Sequence, residues 1–289
     1  MTPTKKTFLA FVSFFLVFVT IACSCGSLIP SSPTQPAQAP GGSSSPTPAT
    51  IPSGSPFIDQ ASDSTTVPVG QSATAIASCP SDSLLVGGGF ASAAGIQITK
   101  TEPDPSVWLV AGLNMTSGDL PLTAYAYCLH NSTGSMRVES AEAPVSGAPR
   151  AICQSGEILT GGGYSFDTGT LDVYITTPNG DPIPYGWTVN AHNHQDADQT
   201  ITDYALCLAN SGLTAALVRD AIAFAPGTGL LSFSMACPVG AVMASGGYEG
   251  TGAYTSRVSA DDPSVWEVQV QGKIYDDGSL DHAVCLYLP

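Results

Sequence analysis

Cys79-Pro80-Ser81-Asp82-Ser83-Leu84-Leu85-Val86-Gly87-Gly88-Gly89-Phe90 returns twice further along the chain. It reappears as Cys153-Gln154-Ser155-Gly156-Glu157-Ile158-Leu159-Thr160-Gly161-Gly162-Gly163-Tyr164. The third copy is Cys237-Pro238-Val239-Gly240-Ala241-Val242-Met243-Ala244-Ser245-Gly246-Gly247-Tyr248. A tryptophan follows each copy, at Trp108, Trp187 and Trp266, at intervals of 79 residues. A second cysteine comes 20, 20 and 19 residues after it, at Cys128, Cys207 and Cys285. A period of this size is the signature of one supersecondary unit written three times. The units run over residues 57–135, 136–215 and 216–289.

The units read as β-structure. Glycine (30) and proline (23) are spread throughout, and no stretch sustains apolar residues at helical spacing. Short alternating segments abound instead, such as Ile96–Lys100, Val107–Ala111 and Leu122–Cys128, with counterparts in the other two units. The inter-unit segments Met136–Ala143 and Ala216–Ala225 add one more strand to the unit that follows. Five or six short strands separated by Gly, Pro, Asp and Asn turns predict an antiparallel all-β unit. The expected fold is three tandem, disulfide-stapled, sandwich-like repeats. The alternative is one closed, pseudo-threefold, β-prism-like domain.

The constant residues share one physical explanation. Glycine inside a strand is costly unless something must approach the backbone closely. The middle glycines Gly88, Gly162 and Gly246 are expected to lie beneath the tryptophan of their own repeat, which covers the bare backbone. Six cysteines fall two per repeat, and no Cys-x-x-Cys pair or recurrent histidine accompanies them. In an exported chain such pairs read as disulfides. The expected bridges are Cys79–Cys128, Cys153–Cys207 and Cys237–Cys285. Each would contribute roughly 4 kcal/mol by loop-closure entropy.

The N-terminus decides the location. Lys5 and Lys6 precede an apolar run, Phe8–Ala22, too short to span a bilayer and sized like a secretory signal. Ala22 before Cys23 resembles the lipobox of bacterial lipoproteins, which implies Cys23 as the lipid-modified residue and a membrane anchor. Thr20 departs from that pattern, which usually carries Leu, Val or Ile there. Residues 23–56 then form a Pro/Ser-rich linker, extended at about 3.1 Å per residue and reaching on the order of 90 Å. An order of cysteine, tryptophan and cysteine also invites comparison with immunoglobulin domains. Here, however, the tryptophan is nearer the second cysteine, and Tyr125 and Tyr204 stand three residues before it, not two. Instead, the frame Cys-Pro-x6-Gly-Gly-Gly-Phe/Tyr … Trp-x-Val … Ala-Tyr-Ala-x-Cys resembles repeats of uncharacterised secreted bacterial proteins. That likeness covers residues 66–289, implies an extracellular module and brings no catalytic residues with it.

Removing Lys5 and Lys6 leaves six basic residues against 23 acidic ones, a net charge of about −17. Nucleic acid is excluded as a partner, because its binding rests on Lys and Arg neutralising phosphates. No nucleophile or zinc-protease motif is present, so no enzyme activity and no cofactor are expected. His192 and His194 are the sharpest candidate metal ligands, since alternate residues of an extended chain share a face. A solvated turn is the competing reading, as it is for Asp276-Asp277-Gly278. The composition therefore suits a surface-anchored, non-catalytic binding or structural ectodomain, with a glycan or envelope polymer as the natural partner. Its ligand contacts are expected in the loops Asp104–Val107, Thr177–Gly186 and Ala260–Val265. The rival reading is a hydrolase using Glu102, Asp104, Asp181 and Asp262.

Overall fold

Every repeat contains six strands, set out in a computed structural model that describes residues 54–167, 170–180, 182–222, 229–250, 252–271 and 279–288. The leader, Cys23, the linker through residue 53, Asp181 and the Asp276–Gly278 turn lie outside those ranges. Repeat one supplies β1 (Phe57–Val67), β2 (Ser72–Ser78), β3 (Ser83–Ser92), β4 (Ile96–Asp104), β5 (Val107–Asn114) and β6 (Leu120–His130). Repeat two supplies β7 (Ser135–Pro144), β8 (Arg150–Ile152), β9 (Ile158–Ser165), β10 (Leu171–Asn179), β11 (Gly186–Asn193) and β12 (Thr200–Ala209). Repeat three supplies β13 (Thr214–Ile222), β14 (Leu230–Ala236), β15 (Ala241–Glu249), β16 (Ala253–Val258), β17 (Val265–Gln271) and β18 (Ser279–Tyr287). The inter-unit segments form the first strands of their repeats, β7 (Ser135–Pro144) and β13 (Thr214–Ile222), with residues 223–225 of the second segment outside the described ranges.

The expectation of three stapled all-β repeats holds, and of its two arrangements the strands form the closed one. No repeat keeps its six strands together. The first, sixth and third strands of one repeat share a sheet with the fourth, fifth and second strands of another. The first sheet runs β1-β6-β3-β16-β17-β14, the second β7-β12-β9-β4-β5-β2 and the third β13-β18-β15-β10-β11-β8. Repeat three thus completes a sheet with repeat one, and the ring closes. Residues Thr50–Pro289 form a single compact unit. The buried faces alternate as period-2 strands require: Trp108, Val110, Gly112 and Asn114 of β5 point inward, and their neighbours are less buried.

The glycine triplets explain why the repeats interleave. Each glycine of a triplet admits a different neighbour. The first positions, Gly87, Gly161 and Ser245, meet one another where the three sheets converge. A Cβ on Gly161 would come within 3.1 Å of the Gly87 Cα and 3.2 Å of the Ser245 Cβ. Space there holds one small side chain, and Ser245 is that side chain, donating its hydroxyl to the Thr160 carbonyl at 2.7 Å. The departure of repeat three from the Gly-Gly-Gly pattern is thereby accounted for. The middle positions, Gly88, Gly162 and Gly246, lie under Trp108, Trp187 and Trp266, each 1% exposed. The third positions, Gly89, Gly163 and Gly247, face the carbonyls of Ser256, Thr101 and Thr176 on the strand contributed by another repeat. That join is narrow, with two residue pairs in each sheet: Thr255↔Ala91 and Ser256↔Phe90, Lys100↔Ser165 and Thr101↔Tyr164, Ile175↔Glu249 and Thr176↔Tyr248. Side chains at the third positions would push the two halves of a sheet apart. Phe90, Tyr164 and Tyr248 follow the triplets and are all buried. Phe90 packs edge-on to Tyr248 at 6.5 Å, and the two tyrosine hydroxyls lie 3.4 Å apart.

The disulfides tie the sheets together. Cys79–Cys128, Cys153–Cys207 and Cys237–Cys285 are all formed. Cys79 follows β2 of the second sheet, and Cys128 lies on β6 of the first. Cys153 follows β8 of the third sheet, and Cys207 lies on β12 of the second. Cys237 follows β14 of the first sheet, and Cys285 lies on β18 of the third. Each bridge therefore joins two different sheets, and the three together complete a circuit.

Candidate functional site

The junction between repeats three and one carries an open groove of about 350 Å³. Such a volume falls within the range of small-molecule sites, roughly 300–1,000 Å³. Two other cavities, at about 40 and 10 Å³, lie among the aromatics and glycines where the three sheets converge, and both are too small for a ligand. One wall of the groove is the start of β1, from Phe57 to Gln60. The opposite wall is the β16–β17 loop, at Ser259-Ala260 and Pro263-Ser264. Tyr127, Val242, Met243 and Leu288 line the remainder. The lining is chiefly apolar.

Local sequence explains why the groove opens here. Counting from the second cysteine of each repeat, Asp59 and Ser83 of repeat one correspond to Arg137 and Glu157 of repeat two. Within repeat two, Arg137 and Glu157 reach each other across β12, with Nε–Oε1 at 3.0 Å. Arg137 also pairs with Glu139. At the junction of repeats two and three, the β10–β11 loop folds onto β13. There the Pro182 carbonyl accepts from the Leu217 N–H at 3.2 Å, and the Gly180 carbonyl accepts from Arg219 at 2.8 Å. Among the described residues, the junction of repeats three and one shows no such hydrogen bonds from loop to neighbouring strand. Its loop is instead tied to itself: Ser264 donates its N–H and its hydroxyl to Asp262 at 2.9 and 2.7 Å. Those two hydrogen bonds, the side-chain one first, hold the Asp262 carboxyl below its ordinary range, so it stays ionised. At the mouth, the Phe57 ring stacks on His130 at 4.6 Å, and His130 Nε2 lies 3.0 Å from an Asp59 carboxylate oxygen.

The other sequence candidates are dispersed. His194 Nε2 lies 2.7 Å from Asp172, and His192 stacks on Tyr174 with ring centres 4.3 Å apart. Among the described residues the one group of three metal-capable side chains is Cys153, Glu157 and Cys207, and it does not include the histidines. Its two sulfurs are bonded to each other, and Glu157 is held by Arg137. Glu102 lies on β4, 2.7 Å from Lys100, whereas Asp262 lies on the β16–β17 loop and accepts from Ser264. Those carboxylates belong to different sheets. Of the three loops expected to carry contacts, the one at Ala260–Val265 borders the groove. Ile183 and Tyr185 on the equivalent loop of repeat two are 62% and 46% exposed.

Among the described residues, Asp203 is the acid moved furthest from its ordinary range. It lies on β12, fully buried, where repeat one has Ala124. β8 is three residues long against seven in β2 and β14, and the Asp203 carboxylate accepts from the Ala151 N–H on it at 2.9 Å. The carboxyl thus pins a shortened strand of the third sheet to the second. Burial drives its pKa up to about 8, against the opposing pull of the Ala151 and Tyr204 N–H groups. The sign follows from linkage. Between pH ~4 and ~8 the unfolded chain loses this proton while the folded chain keeps it, so stability falls as pH rises, by up to ~1.4 kcal/mol per pH unit. Below that window both states are protonated and the contribution is flat. Asp203→Asn keeps an acceptor for Ala151 and removes the charge. Its urea midpoint is expected to change less than that of the natural chain between pH 5 and pH 9, with the gap widest at pH 9. Parallel pH profiles for the two proteins would contradict the assignment.

No protein-family model matches the chain, and no curated protein matches it. The three disulfides point to an oxidising, extracytoplasmic environment. No helix among the described residues is long and apolar enough to cross a membrane.

Proposed function

We propose that the chain is an exported lipoprotein, anchored through Cys23, whose three-sheet domain is a non-catalytic binding module that takes a small ligand into the groove beside β1. One observation carries this reading: an apolar groove of about 350 Å³ lies at the junction of repeats three and one. The residues common to all repeats are consumed by folding. Glycines admit neighbours, tryptophans cover them, and cysteines staple sheets. What differs between copies is free to serve a ligand, and the groove is made of such differences. The Pro/Ser-rich linker and the acidic, sparsely charged composition support display away from a surface. The expected glycan or envelope-polymer partner has a separate landing place in this reading, the exposed Tyr185 and Ile183 of the β10–β11 loop. The apolar lining of the groove favours a hydrocarbon body over a sugar.

The test is calorimetric titration of the purified protein with a nonionic alkyl maltoside below its micellar concentration. Saturable one-to-one binding is expected. Val242→Trp, which places an indole in the groove from a partly exposed position on β15, is expected to weaken it at least tenfold. Absence of saturable binding, or unchanged binding in the variant, would overturn the proposal.

A further inference from the structure

The groove has a polarity that its volume does not reveal. Its body is apolar, but the charged groups that its walls carry are of one sign. Asp59 stands exposed on the β1 wall. Asp261 and Asp262 stand exposed in the opposite wall, between Ala260 and Pro263, which themselves line the groove. Ser264 holds Asp262 in its ionised form with two hydrogen bonds. The nearest arginine on that strand, Arg257, is turned to other partners. It lies over the Tyr125 ring at 5.3 Å, donates to the Tyr125 hydroxyl at 3.1 Å and sits 3.7 Å from Glu267. His130 stands against Asp59 on one side of the mouth, and among the described residues no cationic group pairs with the two loop aspartates. The corresponding position at the junction of repeats one and two carries Arg137 in place of Asp59, so the acidic rim belongs to the same junction as the groove.

We infer that the groove selects a single-chain cationic amphiphile, an alkyl amine or alkyl quaternary ammonium. The hydrocarbon lies along Met243, Val242 and Leu288, and the cation lies between Asp59 and the Asp261-Asp262 loop. This inference rests on the groove reading above and adds the charge of the occupant. Chain burial supplies affinity in proportion to apolar area removed from water. The rim supplies discrimination, because a charge held within a few ångströms of carboxylates at a protein surface gains free energy that an anion of the same shape loses. An alkyl anion would meet both these carboxylates and the net negative charge of the whole chain.

Three probes of equal alkyl length separate the possibilities, each used below its micellar concentration at low ionic strength: an alkyltrimethylammonium, an alkyl maltoside and an alkyl sulfate. The ammonium is expected to bind about tenfold more tightly than the sulfate, with the maltoside between, and the spread is expected to narrow as salt screens the rim. Asp59→Asn combined with Asp261→Asn and Asp262→Asn is expected to bring the ammonium to the affinity of the maltoside. Asp196→Asn with Asp198→Asn removes two exposed acids outside the groove and is expected to leave the ranking in place. Val242→Trp is expected to weaken all three probes. Equal or tighter binding of the sulfate would overturn the charge assignment. So would a loss of ranking in the Asp196/Asp198 control as large as in the rim variant, since the preference would then belong to the protein's overall charge. Binding of the maltoside without a cation preference would leave the groove standing and remove its proposed ligand class. Failure of every probe would remove both.

Discussion

Gly162→Val is expected to leave little folded protein at room temperature. The Cβ that valine must add at this position would lie inside the indole of Trp187. On the same side the Tyr204 carbonyl leaves no alternative path for it. The ring has nowhere to retreat: it is 1% exposed, and its Nε1 donates to the Thr176 hydroxyl at 2.9 Å. Thr176 in turn belongs to the two-pair join between the halves of the third sheet, so displacing the ring strains a seam with little to spare. Overpacking a core by single methylenes costs about 1–3 kcal/mol, and a branched side chain against an immobile ring exceeds that range. A loss above ~4 kcal/mol is a large fraction of the ~5–15 kcal/mol that holds a domain together. Urea unfolding followed by circular dichroism provides the measurement. Gly118→Ala serves as the reference, because no heavy atom lies within 4 Å of a Cβ built there. It is expected to change stability by less than about 0.5 kcal/mol. A second comparison isolates the cause. Trp187→Ala alone is expected to cost ~3–5 kcal/mol through its cavity. If collision with the ring is what unfolds Gly162→Val, adding Trp187→Ala must cost far less than the two changes summed. Additive losses, or a Gly162→Val protein as stable as its parent, would refute the stacked-ring account.

What the sequence could and could not disclose follows from the range of each interaction. The period, the strand content and the pairing of cysteines are written in recurring residues, and each is legible because one copy checks the other two. The cover of Gly88, Gly162 and Gly246 by tryptophan was legible for the same reason, since a glycine kept inside a strand demands a visitor. The exchange of strands between repeats was not legible. Three near-identical units present near-identical edges, so nothing local tells β3 to pair with β16 and not with β4 of its own repeat. One signal of closure was present in Ser245: a single side chain among three otherwise bare positions has a meaning when those positions touch. The groove was harder still. It lies where the Ser259–Ser264 loop binds itself and not the neighbouring strand, and where Asp59 and Ser83 stand in place of the Arg137 and Glu157 of repeat two. Those are absences of a contact, and a sequence displays only the residues that could have made one. His192 and His194 show the converse. Their spacing proposes a shared ligand, and the fold sends one ring to Asp172 and the other to Tyr174.

Removing one disulfide tests whether the three repeats behave as one body. Cys79→Ala with Cys128→Ala opens a loop of 49 residues. Chain entropy assigns about 4 kcal/mol to a loop of that size, and removal of native bridges typically costs 2–5 kcal/mol. The two architectures distribute that loss differently. In separate beads the change would reach repeat one alone, and unfolding would split, with Trp108 reporting early and Trp187 and Trp266 reporting at the original midpoint. In the closed ring the bridge joins the first sheet to the second, and those sheets contain strands from all three repeats. Loosening that corner weakens the seam between β9 and β4 as well as the one between β3 and β16, each a two-pair join. A single cooperative transition is therefore expected, shifted as a whole to lower denaturant, with fluorescence and circular dichroism coincident. Reduction of all three bridges removes every disulfide between sheets and is expected to unfold the domain without added denaturant. The decisive readout is coincidence, not the size of the shift. A variant that melts in two steps, with about a third of the signal lost first, would mean that the repeats hold their own cores and that the interleaved sheets contribute little to stability.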